Sequence, residues 1–192
     1  VICIATPKFA TIVGDGRAIN IDTGEIISEN YQKVIRIRND VIAGFTGTEQ
    51  VSRRAFDDLP DDVSVLSFFD ISKILCAGAK KRHEDTGLKG SIILAGIEGN
   101  RIVIYRFSRR NGYELERIEP EFTELLGLYP DEITHDILYE CYMEYYTTGS
   151  LQKVIRETFR RVASLSDFVN QSLIQLTVEI PRKAAPSLLS LF

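Results

Sequence analysis

An aspartate between two glycines, placed directly after a buried strand, constrains this chain more than any other feature. Val1–Ala5 and Phe9–Val13 are runs of β-branched and small apolar residues separated by a Pro-Lys turn, which predicts a β-hairpin covered on both faces. The second run ends at Gly14-Asp15-Gly16. A carboxylate at such a place is costly to desolvate unless a cation meets it. The sequence therefore predicts a positive partner for Asp15.

Lys33 is the candidate for that partner. It opens a second apolar run, Lys33–Arg38, which turns at Asn39-Asp40 and returns as Val41–Gly47. This pattern predicts a second pair of strands with Lys33 at one end. We therefore expect the two strand pairs to bring Lys33 and Asp15 together as a buried ion pair.

Three of these segments resemble the first third of proteasome β-type subunits and of the bacterial peptidase HslV, namely Ile12–Arg17, Lys33–Ile37 and Val41–Gly47. Those proteins are N-terminal nucleophile (Ntn) hydrolases. In that family an N-terminal Thr attacks the substrate and its own α-amine serves as the base. An Asp and a Lys stand beside the Thr, and a Gly amide supplies the oxyanion hole. The resemblance assigns these three roles to Asp15, Lys33 and Gly47.

The nucleophile is not among the residues that match. In the family the Thr lies sixteen residues before the Asp, so counting back from Asp15 places it two positions before Val1. Cys3 and Thr6 are internal and have no free α-amine to act as a base. The resemblance leaves two alternatives: a Thr upstream of Val1, or a relative that has no nucleophile.

Two further motifs bear on that choice. The segment Leu165–Asn170 resembles the family's Asp-x-x-Ser, which orients the terminal amine; Asp167 fits the Asp, and Asn170 stands where Ser is usual. The family's Gly-Ser-Gly turn has its nearest equivalent at 127–130, where Leu128 takes the Ser position. This departure favours the alternative without a nucleophile. An Asp–Lys pair can be retained for stability alone, because removing one partner of a buried pair costs about 3–5 kcal/mol.

The rest of the chain alternates helices and strands. Helical periodicity predicts pairs of helices at about 48–58 and 64–82, and at about 130–146 and 150–164; strand patterns predict strands at 91–96, 101–107, 113–118 and 172–180. Strands, two helices, strands, two helices and a strand suit an α+β fold, a four-layer αββα sandwich. The resemblance implies the same fold, that of the Ntn hydrolases. We expect one domain over residues 1–192, with 181–192 as a C-terminal tail.

Composition narrows the classes of partner. The chain has 192 residues, 44% hydrophobic and 26% charged, which is enough for a sizeable core, and a net charge of −4 disfavours a nucleic-acid partner. It has no apolar run of 18 residues and no signal peptide, so the sequence predicts no membrane association. Cys3, Cys76 and Cys141 are odd in number and lie in apolar surroundings, which predicts reduced thiols and a cytoplasmic protein.

Three functions follow as hypotheses. The first is a threonine-type peptidase or amide hydrolase that acts on peptides or proteins. The second is a non-catalytic ring or scaffold subunit, and the third is an unrelated binding module on the same sandwich. The resemblance implies homo-oligomerisation, a possible ATPase partner, and chemistry that needs no metal or cofactor. The apolar tail, with Leu188, Leu189, Leu191 and Phe192, predicts docking on a neighbouring subunit.

Overall fold

The chain folds into a four-layer αββα sandwich, in which two stacked β-sheets carry helices on both outer faces. The computed structural model describes residues 1–128, 131–145 and 150–181, the side chains of 131–133 excepted. The α+β sandwich predicted from the order of elements is therefore confirmed. Tyr129, Pro130, Tyr146 and the apolar residues predicted for the tail lie outside the described residues.

The first sheet has four antiparallel strands in the order β10-β1-β2-β11. Their bounds are Ile2–Ala5 for β1, Phe9–Asp15 for β2, Glu124–Gly127 for β10 and Leu173–Glu179 for β11. In the β1–β2 hairpin Ile2 lies opposite Val13 and Ala5 opposite Ala10. On the other side of β2, Leu173 lies opposite Asp15. Both central strands are almost fully buried, as their continuous apolar runs predict.

The second sheet has five antiparallel strands in sequence order. They are β5 (Val34–Arg38), β6 (Val41–Gly47), β7 (Gly90–Glu98), β8 (Arg101–Ser108) and β9 (Glu116–Ile118). Val34 pairs with Gly44, and Gly47 pairs with Gly90. Strand β5 is the edge strand and begins at Val34, which pairs with Gly44. The end of β6 after Phe45 therefore has no paired strand on its β5 side.

Two helices cover each sheet. They are α1 (Glu49–Ser52) and α2 (Phe68–Thr86) on the second sheet, and α3 (Asp131–Tyr145) and α4 (Leu151–Leu165) on the first. Ser67 begins α2 by accepting a hydrogen bond from the Asp70 N–H at 3.0 Å. Gly87 ends it with a φ of +72°, which a residue with a side chain adopts only at a cost.

The core between the sheets depends on a close approach at Gly44. A Cβ atom on Gly44 would lie 2.6 Å from Ile12 Cγ2 and 2.8 Å from Val1 Cγ1, both on the first sheet. No room remains for a side chain there, so glycine at this position sets the distance between the sheets. Val1 and Ile12 belong to this inter-sheet core, together with Cys3, Val34 and Ile42.

Several local predictions differ from the structure. Strand β10 and a small hairpin, β3 (Ala18–Ile19) with β4 (Ile26–Ser28), were not predicted. The helix predicted at 48–58 is the four-residue α1 followed by a 3₁₀ segment, Arg54–Asp58. The strand predicted from Tyr113 begins only at Glu116, since Tyr113 has a φ of +56°. Helix α2 begins after Ser67, whereas the helix was predicted to begin at about residue 64; Ser64 lies in a separate 3₁₀ segment, Val63–Val65.

The three cysteines are buried and free, in agreement with the thiols predicted from the sequence. Burial raises the pKa of the Cys3 thiol to about 12, so Cys3 has no thiolate near neutral pH. Among the described residues, no helix combines the length and the apolar character that crossing a membrane requires.

Candidate active site

A buried ion pair between Asp15 and Lys33 lies at the end of β2. Lys33 Nζ is 2.9 Å from Asp15 Oδ2 and 3.1 Å from Oδ1. The side chains are 2% exposed for Asp15 and 15% exposed for Lys33. The Arg17 backbone N–H also donates to Asp15 Oδ2, at 3.0 Å. The pair that the sequence predicts is thus present, with the carboxylate held from two directions.

Glycines on either side of Asp15 allow the strands to meet there. A Cβ on Gly14 would lie 2.8 Å from Val34 Cγ2 and 3.2 Å from Lys33 Cβ. A Cβ on Gly16 would collide with the Glu29 carbonyl oxygen. The Gly-Asp-Gly motif therefore brings the backbone of β2 against the segment that carries Lys33.

The start of β1 lies beside this pair. Val1 is buried, and its side chain shares the inter-sheet face with Cys3. A Cβ on Gly14 would lie 3.2 Å from Lys33 Cβ and 3.4 Å from Val1 Cγ2, so Val1 and the segment that carries Lys33 meet against β2 next to Asp15. Both charges thus act at the point where the chain enters β1.

Gly47 lies at the free end of β6. The Phe45 N–H donates to the Lys33 carbonyl at 3.0 Å, so the N–H groups at Phe45 and two residues later face the β5 side. At Gly47 this side lies beyond the start of β5, which begins at Val34. The φ of Gly47 is +89°, and a Cβ there would lie 2.8 Å from Gly90 Cα. The Gly47 N–H therefore points to the side of β6 on which no strand is paired with it.

Asn170 forms hydrogen bonds to three backbone segments around Asp15. Its Oδ1 accepts from the N–H of Gly16 at 3.0 Å and of Ser172 at 3.1 Å. Its Nδ2 donates to the Glu29 carbonyl at 2.9 Å and to the Glu29 carboxylate. This second bond is the largest cause of a lowered pKa at Glu29, followed by the bond from Arg17. One amide thus supplies acceptor and donors where a shorter Ser side chain reaches fewer partners.

Asp167 is placed differently from the other predicted residues. Its side chain is exposed, and its backbone carbonyl accepts from Arg17 Nη1 at 2.8 Å. Within the described part of the chain its carboxylate has no hydrogen bond or ion pair. The structure therefore groups Asp15, Lys33, Gly47 and Asn170 around one end of the sandwich and leaves the Asp167 carboxylate apart from the ion pair.

Leu128, which the resemblance matches to a Ser, packs into the inter-sheet core and is 7% exposed. Its N–H donates to the Val1 carbonyl at 2.8 Å, which extends the pairing of β10 with β1. This segment therefore keeps its backbone beside the start of β1 but presents an apolar side chain.

Sequence reasoning missed two hydroxyls. Thr46 in β6 and Thr134 in α3 are buried, and neither Oγ1 atom has a hydrogen-bond partner within the described residues. Thr46 could have been found from the alternation along β6, which puts it on the same face as Gly44. Thr134 lies on the opposite face of the first sheet, near Ile2.

A cleft of about 300 Å³ opens next to the site. Tyr31 and Gln32, which directly precede Lys33, form one wall with Ile35; the other wall follows Gly47 and contains Glu49, Arg53, Arg54 and Asp57. Burial, followed by the charge of Glu49, raises the pKa of Tyr31. The cleft offers apolar and charged surface side by side, within a few residues of Lys33 and Gly47.

The described residues contain no cluster of three or more His, Cys, Asp or Glu side chains arranged to hold a metal ion. The groups that this site presents are one ammonium, one carboxylate and backbone N–H groups.

No protein-family model and no curated protein sequence matches this chain. Among solved structures, the crystal structure of eukaryotic HslV from Trypanosoma brucei is similar, with a TM-score of 0.62 and 14% sequence identity. The match covers 93% of this chain and 98% of that one. The chain therefore has the proteasome-like Ntn hydrolase fold.

Proposed function

We propose that this chain is a proteasome-like threonine-type peptidase whose nucleophile is a Thr two residues before Val1. The observation that carries the proposal is the buried Asp15–Lys33 pair beside the start of β1. Continuing the register in which Ile2 lies opposite Val13, that Thr falls opposite Gly16. Because strand side chains alternate, it shares the inter-sheet face with Val1 and Cys3.

The mechanism follows from the charges. The Lys33 ammonium favours the ionised form of a nearby Thr hydroxyl, and Asp15 fixes the ammonium in place. The α-amine, with a reference pKa of about 8, takes the hydroxyl proton. The Thr oxygen attacks the carbonyl carbon of a peptide bond, and the Gly47 N–H donates to the oxyanion. The leaving amine takes the proton, and water then cleaves the acyl-enzyme ester.

The cleft beside the ion pair supports a peptide substrate. It lies within a few residues of both Lys33 and Gly47 and has room for a substrate side chain. By the same resemblance, the protein forms a homo-oligomer, works in the cytoplasm with an ATPase partner, and needs no metal or cofactor.

The alternative is a non-catalytic ring or scaffold subunit of the same fold. The observation that favours it is Leu128, which presents an apolar side chain where the family has a Ser hydroxyl. The exposed carboxylate of Asp167 also favours the non-catalytic alternative. In this alternative Asp15 and Lys33 stay because breaking a buried pair is destabilising.

The test uses untagged protein made from its own reading frame and a peptide electrophile directed at N-terminal threonine. We expect intact-mass spectrometry to show one adduct on an N-terminal Thr. Lys33→Met, with folding checked by circular dichroism, should abolish the adduct, whereas Lys153→Met on α4 should not. A mature N-terminus without a nucleophile, together with no adduct, would establish the non-catalytic alternative.

A further inference from the structure

Thr46 is a buried side chain whose polar atom has no described partner. It is 8% exposed, and its Oγ1 accepts and donates no hydrogen bond within the described residues. A buried hydroxyl left unpaired lowers the stability of the fold. Such a group at the edge of a candidate active site suggests a role in function.

The alternation along β6 directs Thr46 toward the space between the sheets. Ile42 belongs to the inter-sheet core, and a Cβ on Gly44 would meet Val1 and Ile12 of the opposite sheet. Thr46 follows on the same face, one strand repeat of about 7 Å beyond Gly44.

The direction of that repeat leads to the position of the proposed nucleophile. Gly14 of β2 faces Lys33 and Val34, whereas Gly16 faces Glu29 and Asn30. The direction from Gly14 to Gly16 along β2 is therefore the direction from β5 to the residues that precede it. Strand β6 runs antiparallel to β5 and therefore advances the same way as β2. Strand β1 runs antiparallel to β2, so going from Gly44 to Thr46 corresponds to going from Val1 to two residues before it.

We propose that Thr46 is a positioning residue, whose Oγ1 accepts a hydrogen bond from the α-amine of the nucleophilic Thr. The inference rests on the proposed function, since it needs a Thr two residues before Val1. It replaces the hydroxyl that the family supplies from the turn now occupied by Leu128. With this bond in place, the lone pair of the amine stays directed at the nucleophile's own hydroxyl.

The test compares Thr46→Val, Thr46→Ser and Thr134→Val in the full-length protein. The rate of adduct formation with the peptide electrophile should fall about tenfold to a hundredfold in Thr46→Val and stay near the wild-type rate in Thr46→Ser. Thr134→Val is the matched control, because its hydroxyl is likewise buried without a partner among the described residues, but it lies on the other face of the first sheet. Its rate should not change.

Two readouts separate positioning from a structural role. Since a hydrogen bond accepted from the ammonium favours its charged form, Thr46→Val should move the acid limb of the pH–rate profile to lower pH. Thr134→Val, which replaces an unpaired hydroxyl with a methyl group, should unfold at the wild-type denaturant concentration or higher. Thr46→Val, which loses one hydrogen bond to the amine, should still be fully folded under the assay conditions, so that its lower rate reports positioning.

A Thr46→Val protein with the wild-type rate and pH profile would overturn the inference and leave the proposed function standing. A wild-type protein that forms no adduct would overturn both. Loss of activity in Thr46→Ser as well as Thr46→Val would also overturn the inference, because the hydroxyl would then not be the group that matters.

Discussion

At the scale of single residues, the ion pair is the costliest feature of the site. The Asp15 carboxylate is 2% exposed, and its charged partner is one ammonium that also lies mostly out of water. In such a pair the attraction offsets the loss of hydration only while both charges are present. Removing one partner leaves an unpaired buried charge, whereas removing both removes the need for compensation.

We therefore expect Lys33→Met to lower the free energy of unfolding by about 3–5 kcal/mol, and Asp15→Asn/Lys33→Met to lower it by clearly less. The measurement is urea unfolding of the wild type, both single variants and the double variant, analysed as a double-mutant cycle. Arg160→Met, which breaks an exposed pair with Glu157 on α4, is the control and should cost less than about 1 kcal/mol. Additive effects of the two single variants would mean that the charges are not coupled.

The sequence predicted this pair because a carboxylate between glycines after a buried strand has few physical solutions. It did not predict that Asn170 would hold both Gly16 and Glu29, since these contacts join residues 154 and 141 positions apart in the chain. Asp167 matched a motif, but its exposed side chain depends on how the chain leaves α4. Local pattern determines which groups are buried, and tertiary contacts decide which of them meet.

At the scale of elements, the contact between β6 and the β1–β2 hairpin positions the site. Gly44 lies against Val1 and Ile12, so the start of β1 rests directly on β6. The same contact places Thr46 and Gly47 beyond Val1. The close packing of two strands at one glycine thus fixes the relative position of the ion pair and the free end of β6.

We expect Gly44→Ala to destabilise the protein by about 1–3 kcal/mol, because the added methyl group overpacks the space between the sheets. It should also displace β1 and lower the rate of adduct formation. Gly24→Ala is the comparison: it meets no atom within 4 Å but has a φ of +74°. It should cost about 1 kcal/mol through the backbone alone, with no effect on the rate. Urea unfolding measures both costs, and a Gly44→Ala protein as stable as the wild type would contradict the packing argument.

The elements whose pattern lies within one segment were predictable, and those that depend on distant partners were not. Strands β5 to β8 and helix α4 follow from apolar runs and periodicity that a single segment carries. Strand β10 has four residues and exists because it pairs with β1, more than a hundred residues earlier in the chain. Tyr113 begins no strand because its backbone is left-handed, with a φ of +56°, and its buried hydroxyl accepts from the Gly90 N–H, a contact between residues 23 apart in the chain.

At the scale of the whole molecule, the large apolar side chains that the described chain leaves exposed include one group on α3 and another on the β3–β4 hairpin. On α3, Tyr139 is 53% and Met143 is 58% exposed, and the two lie one helical turn apart. On the β3–β4 hairpin the exposed residues are Ile21, Ile26 and Ile27. Since a homo-oligomer larger than a dimer needs more than one contact surface per subunit, this distribution supports the proposed homo-oligomer.

The prediction at this scale concerns the α3 surface. Tyr139→Glu/Met143→Lys replaces two exposed apolar side chains with an i,i+4 pair that helices tolerate, so the fold should persist while the contact surface is lost. We expect a lower assembly mass in sedimentation velocity over a range of protein concentrations. Val65→Glu, at a side chain that is 77% exposed on the helix layer of the other sheet, should keep the wild-type mass. A wild-type protein that sediments as a monomer throughout, or a double variant of unchanged mass, would show that α3 does not carry the assembly. Partial loss, with dimers left in place of larger assemblies, would instead assign the remaining contact to a second surface such as the hairpin.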